Sequence, residues 1–249
     1  RGGVPAAIIA AGDKTGDDPQ VSSYDIQLLE AAAGFNGAFL DNAALYAEQE
    51  AMFLGTLVAL TASIDAKDRY TCGHSQRVAH LSHELALAAG MTREQADRVR
   101  VAGLVHDVGK IGVPEAVLCK AGKLSDDEFA AIKKHPEIGH RILRDIPHMH
   151  DVLPGVLHHH ERYDGRGYPH GLKGDDIPLV GRIIAIADTF DAMSSTRSYR
   201  SAMPRPTVLA ELQRSAGAQL GPALVPLFGR LDLTTYDARV VEHAAGAEP

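Results

Sequence analysis

The chain has 249 residues, of which 45% are hydrophobic, 23% charged and 5% aromatic, a composition typical of one or two globular domains. Its 25 Lys and Arg against 32 Asp and Glu give a formal net charge of -7, which argues against sequence-independent binding to duplex nucleic acid. Apolar runs fall short of the ~20 residues of a membrane-spanning helix and a secretion leader is not recognisable, so we expect a soluble cytoplasmic protein.

The first apolar segment runs from Val4 to Ala11 and is followed by a turn-like stretch rich in Gly and Asp. This pattern predicts one β-strand and a loop. A single strand cannot bury its own faces. It therefore either docks on a domain outside this chain or is the remnant of a larger domain, and we favour the remnant.

A long helix is predicted after this segment. Ser22 and Ser23 can cap a helix with Asp25 in its first turn, and no proline interrupts the sequence to about Ala66. Two interpretations of its last turns stay open: the helix packs on its own domain, or it is a connector that pairs with its copy in a parallel dimer. Both rest on one apolar stripe at helical spacing, formed by Phe53, Leu57, Leu60 and Ile64.

The rest of the chain is predicted to be an all-α bundle of short helices. After Asp65, amphipathic stretches alternate with clusters of Gly, Pro and Asp, and little strand-like alternation is present. A Gly-rich surface loop is expected at 163–171, and the tail from about Asp232 is expected to fray. The predicted helices span residues 75–89, 93–108, 125–134, 136–144, 150–161, 179–194, 207–216 and 223–231.

One face of the helix predicted for 93–108 carries polar side chains that can bind a metal. Gly103, His106, Asp107 and Lys110 share this face at spacing i, i+3, i+4, i+7. Other candidate ligands occur at the edges of predicted helices. The whole set of five imidazoles and two carboxylates is His74, His106, Asp107, His135, His159, His160 and Asp188.

These ligand types indicate an oxygen and nitrogen site without sulfur. Imidazole and carboxylate together suit iron, manganese or zinc. Cys72 and Cys119 lie far apart and outside any CxxC pattern, so neither a thiolate site nor a disulfide framework is expected. A site of this size is typical of a dinuclear centre.

The chemistry favoured by such a centre is phosphodiester hydrolysis. Two cations close together lower the pKa of a bridging water and neutralise charge on the phosphoryl oxygens. Asp107 is the natural bridging ligand, because each of its oxygens can bind one ion. Lys110 is expected to contact a phosphate oxygen or the leaving alkoxide, and Arg197 and Arg200 add local positive charge to an acidic chain.

Five segments together resemble the HD-GYP domain, a branch of the HD phosphohydrolase superfamily. They read YTCGHSQRV at 70–78, HDVGK at 106–110, HPEIG at 135–139, HHERYDGRGYP at 159–169 and DTFDAM at 188–193. The resemblance covers roughly residues 65–231, and several motifs in the right order make it specific. Members of this family are helical, metal-dependent phosphodiesterases of cyclic di-GMP. The resemblance therefore implies hydrolysis of that messenger to pGpG or GMP by a metal-bridging hydroxide.

The resemblance also implies roles for individual residues. The superfamily's ligands correspond to His74, His106, Asp107 and Asp188, and the HD-GYP branch adds His135, His159 and His160. Asp107 and Lys110 would be catalytic, with Lys110 on the substrate phosphate. The implied lining of the nucleotide pocket is Asp68, Lys110, Gly167, Asp191, Arg197 and Arg200.

Two departures from the family pattern bear on detail. Some members carry an acidic residue four positions before the first histidine, which supports a third metal, whereas this chain has Tyr70. Two divalent ions, Fe(II) or Mn(II), are therefore expected. Residues 217–222 read GAQLGP where the family often has GTQFDP, a change that concerns packing and no metal ligand.

Three functions stay open at this point. The first is a cyclic di-GMP phosphodiesterase, the second a signalling module that binds the nucleotide without turnover, and the third an HD phosphohydrolase for another cyclic dinucleotide. The second is disfavoured because every expected ligand is present in the sequence. Substrate profiling separates the first from the third.

The front of the chain resembles the last strand and final helix of a GAF sensory domain, through residues 6–14, 24–30 and the helix to Glu50. The implied organisation is a GAF-like remnant at 1–50, a connector helix at 51–66, the HD-GYP domain at 67–231 and a tail at 232–249. A homodimer through the connector helix is expected.

Several residues near the motifs keep more than one interpretation. Gly167, Tyr168 and Pro169 can shape the pocket wall, contact a protein partner or form a rigid turn. Glu161 can orient a ligand ring or end a helix in solvent. Histidines outside the ligand set, His158 and His170 among them, are expected to be on the surface or hydrogen-bonded.

Overall fold

The computed structural model describes residues 7–12, 15, 20–67, 73–120, 122–195 and 202–245. Helices dominate these residues, so the predicted all-α class is confirmed. Two short 3-10 helices span Val108–Gly112 and Gly174–Asp176. The α-helices are α1 (Ser23–Lys67), α2 (His74–Ala88), α3 (Arg93–Val105), α4 (Glu115–Leu118), α5 (Asp126–Ile132), α6 (His135–Leu143), α7 (Leu153–His158), α8 (Leu179–Ser194), α9 (Arg205–Ser215), α10 (Val225–Phe228) and α11 (Thr234–Ala245).

The N-terminal segment is not a strand where the structure describes it. Residues 7–12 are irregular, so the strand predicted for 4–11 is wrong over the residues that can be checked. A strand needs a partner to satisfy its backbone. Within the described ranges the only bridge is an isolated one between Ala216 and Leu220, far along the chain.

The chain divides into two compact units, residues 1–56 and 57–249. α1 begins as predicted, with the Ser22 amide donating to Asp25 Oδ2 at 2.8 Å. In the first unit α1 leaves large apolar side chains in solvent: Phe35 is 75% exposed and Phe39 64%. Among the helices that the structure describes, α1 included, none combines the length and apolar character needed to cross a bilayer.

The last turns of α1 belong to the second unit and are packed into it. Leu57, Thr61 and Ile64 are 4%, 3% and 6% exposed. For Leu57 and Ile64, this burial confirms the interpretation that the apolar stripe packs on its own domain. Pairing with a second copy stays a prediction.

The core of the second unit lies between α2, α3, α7 and α8. α8 is rich in isoleucine and alanine, and Ile183, Ile184 and Ile186 are fully buried. α3 starts at a capping box between Thr92 and Gln95. It ends at Val105, earlier than predicted, because the chain tightens into the 3-10 helix that begins at Val108.

The C-terminal segment folds, contrary to the expectation that the tail frays from Asp232. Asp232 accepts a hydrogen bond from the Thr234 amide at 2.9 Å, and α11 follows directly. Tyr236 anchors the helix because its side chain is only 1% exposed. The prediction was wrong over 234–245 since a single large buried side chain outweighs a tail-like sequence.

Candidate metal centre

Five elements contribute side chains to one buried site. His74 and His135 are the first residues of α2 and α6, His106 and Asp107 follow α3, and Asp188 lies within α8. His159 and His160 follow α7. The structure brings all seven predicted ligands together in two adjacent groups, in each of which one donor atom per residue lies within 4.8 Å of the others.

The two groups have different compositions. We call Asp107, His135, His159 and His160 the first ligand group, and His74, His106 and Asp188 the second ligand group. In the second group, His74 Nε2 lies 3.3 Å from Asp188 Oδ1. Each group offers three or four nitrogen or oxygen donors, the number from which a transition-metal site is built.

Asp107 lies between the groups and faces both. Its Oδ1 is 3.2 Å from His135 Nε2 and 3.9 Å from His159 Nε2. Its Oδ2 is 3.3 Å from His106 Nε2 and 3.9 Å from His74 Nε2. One carboxylate thus presents one oxygen to each group, which is the geometry of a bridging ligand.

The backbone fixes the orientation of three of the rings. Nδ1 of His106, His135 and His159 each lies 2.8 Å from the carbonyl three residues earlier, at Gly103, Ile132 and Val156. A carbonyl only accepts, so Nδ1 carries the hydrogen in each ring. The Nε2 lone pairs therefore point into the site, as metal-binding histidines require.

The site has hydrogen-bond acceptors for which the part of the chain that the structure describes supplies no donor. His135 Nε2 and His159 Nε2 are 3.2 Å apart, and neither can donate because each ring holds its hydrogen on Nδ1. Asp107 Oδ1 is buried, and none of the described residues donates a hydrogen bond to it. Opposed lone pairs and an unpaired carboxylate oxygen are costly unless a cation lies between them. The donor set therefore fits divalent metal ions.

Local electrostatics favour the metal-binding protonation states of Asp107, His159 and His160. Burial and the neighbouring His135 lower the pKa of His160 to about 3, and burial together with the adjacent imidazoles lowers the pKa of His159. Burial alone would raise the pKa of Asp107, but Lys110 and His106 outweigh it and hold that pKa well below its usual value. The His159 and His160 imidazoles are neutral and the carboxylate is ionised at neutral pH. At the other side of the centre burial is outweighed by carboxylates: Asp188 and Asp191 raise the pKa of His74 to about 10, and Asp107 raises the pKa of His106.

Asp191 has a different position from the one expected of a residue that lines the nucleotide pocket. Its side chain is 0% exposed, and its Oδ2 lies 2.7 Å from His74 Nδ1. Arg77 and the Tyr236 hydroxyl donate to the same carboxylate, at 2.7 and 2.9 Å to Oδ1. A carboxylate enclosed in this way cannot touch a substrate, so we correct the prediction: Asp191 holds the His74 ring.

Of the other residues predicted to line the nucleotide pocket, two lie within the described part of the chain. Lys110 Nζ donates to Asp107 Oδ2 at 2.6 Å, and its side chain is 20% exposed at the edge of the site. A Cβ on Gly167 would lie 2.3 Å from the Arg162 amide nitrogen, so this glycine lets the loop fold closely on itself. Asp68, Arg197 and Arg200 lie outside the described residues, as does Tyr70.

A cleft of about 390 Å³ opens beside the ligands. Tyr168 forms part of its wall, with its ring 4.8 Å from that of His160. The sequence analysis missed Thr189 and Gln219, which also line the cleft. Gln219 was identifiable in principle, because it is the residue of segment 217–222 that matches the family's glutamine. Leu220, in the same segment, is 1% exposed and packs well despite the change from phenylalanine.

Comparison of the sequence with known proteins identifies a family model and several relatives. A family model for the HD domain covers residues 60–224. The chain is 37% identical over 214 residues to the 3'3'-cGAMP-specific phosphodiesterase 2 of Vibrio cholerae serotype O1, which covers 85% of this chain and 41% of that protein. It is 37% identical over 194 residues to a cyclic di-GMP phosphodiesterase of Thermotoga maritima, which covers 77% of this chain and 53% of that protein.

A solved structure agrees at the level of the fold. Bd1817, a HDG"Y"P protein from Bdellovibrio bacteriovorus, has a TM-score of 0.54 and 22% identity, over 65% of this chain and 52% of that chain. The present chain spans about half the length of the curated relatives it matches. Because the family match encloses both ligand groups, the chain belongs to the HD domain family.

Proposed function

We propose that the chain is a metal-dependent phosphodiesterase of the HD-GYP branch that hydrolyses cyclic di-GMP to pGpG or GMP. The observation that carries this proposal is Asp107, whose two oxygens face two separate ligand groups at 3.2 and 3.3 Å from the nearest imidazole nitrogens. A bridged pair of cations is the arrangement that in-line displacement at a phosphodiester requires.

The seven ligands would hold two divalent ions, which we propose to be Fe(II) or Mn(II) because the donors are nitrogen and oxygen without sulfur. Bound ions would supply an activated water and neutralise charge on the phosphoryl oxygens. The chain's own groups do the rest. Asp107 keeps the two groups at a fixed spacing, and the Nδ1–H bonds to carbonyls keep the rings aimed inward.

The substrate would enter the cleft beside His160 and Asp188. Lys110 is 20% exposed at the edge of the centre, where its ammonium can move from Asp107 to a phosphate oxygen. We keep Arg197 and Arg200 as proposed contacts to the second phosphate. A partner protein at Gly167, Tyr168 and Pro169 is less favoured, because the Tyr168 ring packs on His160 as a wall of the cleft.

The names of the relatives suggest a second candidate substrate, 3'3'-cGAMP. The Vibrio cholerae protein that covers 85% of this chain is named for 3'3'-cGAMP, whereas the Thermotoga maritima protein is named for cyclic di-GMP. Anaerobically purified chain loaded with Fe(II) or Mn(II) should be incubated with each dinucleotide and the products separated by chromatography. Faster turnover of cyclic di-GMP supports the proposal, and faster turnover of 3'3'-cGAMP replaces its substrate. Tight binding of either dinucleotide without formation of products would indicate a signalling module that binds the nucleotide without turnover.

The variant Asp107→Ala tests whether Asp107 bridges the two ligand groups. We expect it to lose bound metal, as measured by elemental analysis, and to lower turnover by at least ~10³-fold, since loss of one stabilising group alone costs ~10²–10³. Asp145→Ala is the matched control, because this aspartate side chain is 83% exposed on the surface. Two full equivalents of metal in Asp107→Ala would contradict the bridging role.

We also propose that α1 pairs with α1 of a second copy. Phe39, Tyr46, Phe53 and Leu60 recur every seven residues, and Phe39 and Tyr46 are 64% and 73% exposed. An apolar seven-residue repeat on an exposed helix favours a left-handed coiled coil. Light scattering should give twice the chain mass, and Phe39→Glu with Tyr46→Glu should give a monomer. A wild-type monomer at high concentration argues against pairing.

The remaining organisation is proposed on the sequence resemblance. Residues 1–50 would be the end of a GAF-like sensor and 51–66 the connector into the HD-GYP domain at 67–231, in a cytoplasmic protein. α1 is one helix from Ser23 to Lys67, and its last turns are packed at Leu57 and Ile64.

A further inference from the structure

Glu161 is a buried carboxylate outside both ligand groups. Its side chain is 0% exposed, and it lies three residues after the end of α7. Its Oε1 accepts a hydrogen bond from the His170 amide at 2.8 Å, and its Oε2 accepts one from the Leu172 amide at 3.0 Å. These two bonds tie the end of the Gly-rich loop back to the end of α7.

The two hydrogen bonds to Glu161 come from backbone amides, which carry no formal positive charge. Of the described residues, only His158 brings a basic nitrogen within 4.0 Å, with Nδ1 at 3.8 Å from Oε1. That separation is too long for a hydrogen bond. Buried carboxylates are normally paired with a cation or bound to a metal.

His158, which faces Glu161, also has an unsatisfied polar atom. Its Nδ1 is buried and has no hydrogen-bond partner among the described residues. The His170 ring approaches from the loop, with ring centroids 5.4 Å apart. One donor atom each from His158, Glu161 and His170 lies within 4.8 Å of the other two. We call these three residues the loop cluster.

The loop cluster is separate from the catalytic ligands. His158 and His159 are neighbours in sequence at the end of α7, but consecutive helical side chains point in different directions. His159 points at Asp107, with Nε2 3.9 Å from Oδ1, whereas His158 faces Glu161. The three residues of the cluster share no member with the seven predicted ligands.

We propose that the loop cluster binds one further divalent transition-metal ion, of the zinc type, that clips the Gly-rich loop to α7. Two imidazoles and a carboxylate with water as the fourth ligand form a recurrent zinc set. Zinc bonds of ~2.0–2.2 Å require the donor atoms to draw closer than they now lie. His170 is exposed and His158 is half-buried, so both rings can turn toward Glu161, which its two hydrogen bonds from backbone amides hold in place.

Occupancy of this site would reach the catalytic cleft through the loop. Tyr168 lies two residues before His170, and its ring packs against His160 of the first ligand group. A metal that holds His170 would restrict the loop that carries this cleft wall. This consequence for turnover rests on the proposed function, whereas metal binding by the loop cluster does not.

The test is a count of zinc in the full chain. Wild type, His170→Ala and the matched control His150→Ala, another exposed histidine outside all three clusters, are stripped of metal and titrated with zinc against a chromophoric chelator. We expect three equivalents in the wild type and in His150→Ala, and two in His170→Ala. Equal counts in wild type and His170→Ala, or a loss in both variants, would overturn the proposal.

Trypsin gives a second readout that does not depend on activity. Arg162, Arg166 and Lys173 lie within or beside the loop and are cleavage sites. The third zinc equivalent should slow cleavage there in the wild type and in His150→Ala, and should have no effect in His170→Ala. Equal protection of His170→Ala would show that zinc acts elsewhere. The zinc count and the trypsin cleavage can both be interpreted even if the chain does not hydrolyse cyclic dinucleotides.

Discussion

At the scale of single residues, the histidines of the two ligand groups differ in what holds them. His106, His135 and His159 are oriented by carbonyls of their own helical turns. His74 is instead oriented by Asp191, 117 residues away in sequence. A carboxylate behind a ligand histidine fixes the ring and raises its basicity. The affinity of the second ligand group therefore depends on residues that touch no metal.

Tyr236→Phe tests this dependence. The substitution removes the hydroxyl that donates to Asp191 Oδ1 at 2.9 Å while keeping the buried ring. We expect stability to fall by about 1.5–3 kcal/mol, the range for a hydrogen bond to a charged group. Metal affinity should weaken by ~10-fold, at the low end of the effect of such supporting groups.

Metal titration and thermal unfolding together check this prediction. Tyr24→Phe is the control, because Tyr24 is 73% exposed and should change neither quantity. If Tyr236 were purely structural, Tyr236→Phe would lower Tm and leave the metal affinity unchanged.

At the scale of elements, the first ligand group depends on the close approach of the 3-10 helix Val108–Gly112 to α6. A Cβ on Gly109 would lie 1.9 Å from the His135 carbonyl oxygen and 2.5 Å from the Gly139 nitrogen. Both contacts are with backbone, which cannot move aside as a flexible side chain does. Gly109, in the segment HDVGK, thus sets the distance between Asp107 and His135.

Gly109→Ala should push these two elements apart. We expect a loss of stability of about 3 kcal/mol, at the upper end for an overpacked site. We also expect metal bound by the first ligand group to be lost. Gly55→Ala is the matched control, since a Cβ there meets nothing within 4 Å and alanine favours the helix. Wild-type metal content in Gly109→Ala would show that the spacing tolerates a shift.

Another element-scale contact connects α1 to the centre. Asp65 is 6% exposed near the end of α1, and its Oδ1 accepts a hydrogen bond from Ser75 Oγ at 3.0 Å. Ser75 follows His74 directly in α2. The end of the long helix therefore contacts the first turn that carries a ligand, which gives the proposed connector a physical route to the site.

At the scale of the whole molecule, the centre concentrates buried polar groups in the middle of the fold. His74, His106, Asp107, His135 and His159 are all at most 6% exposed. Their desolvation opposes folding unless cations compensate. Metal binding should therefore be coupled to the stability of the second unit.

Removal of metal should lower Tm by about 10 °C. A ligand at 100 to 1,000 times its Kd stabilises the folded state by about 2.7–4.1 kcal/mol. Each kcal/mol shifts Tm by about 2–4 °C for a unit of this size. Differential scanning calorimetry with and without chelator measures the change, and Asp107→Ala, which lacks the proposed bridging carboxylate, should respond less to chelator than the wild type. An unchanged wild-type Tm would mean that the bound ions contribute little to folding.

The sequence alone determined most helices and the seven candidate ligands, because both follow from local pattern: apolar spacing, capping residues such as Thr92 and Gln95, and motifs a few residues long. It did not predict the folding of α11, since the burial of Tyr236 depends on a pocket made by distant helices. It also misassigned Asp191, whose position three residues after Asp188 says nothing of which partner encloses it.

Only the tertiary structure decided which side chains meet. The two-sided environment of Asp107, the support of His74 by Asp191, and the meeting of His158, Glu161 and His170 all join residues from separate elements. Sequence spacing fixes direction within one helix, whereas distances between helices depend on how whole faces pack. The ligand types were therefore set by the chain, and their grouping into sites by the fold.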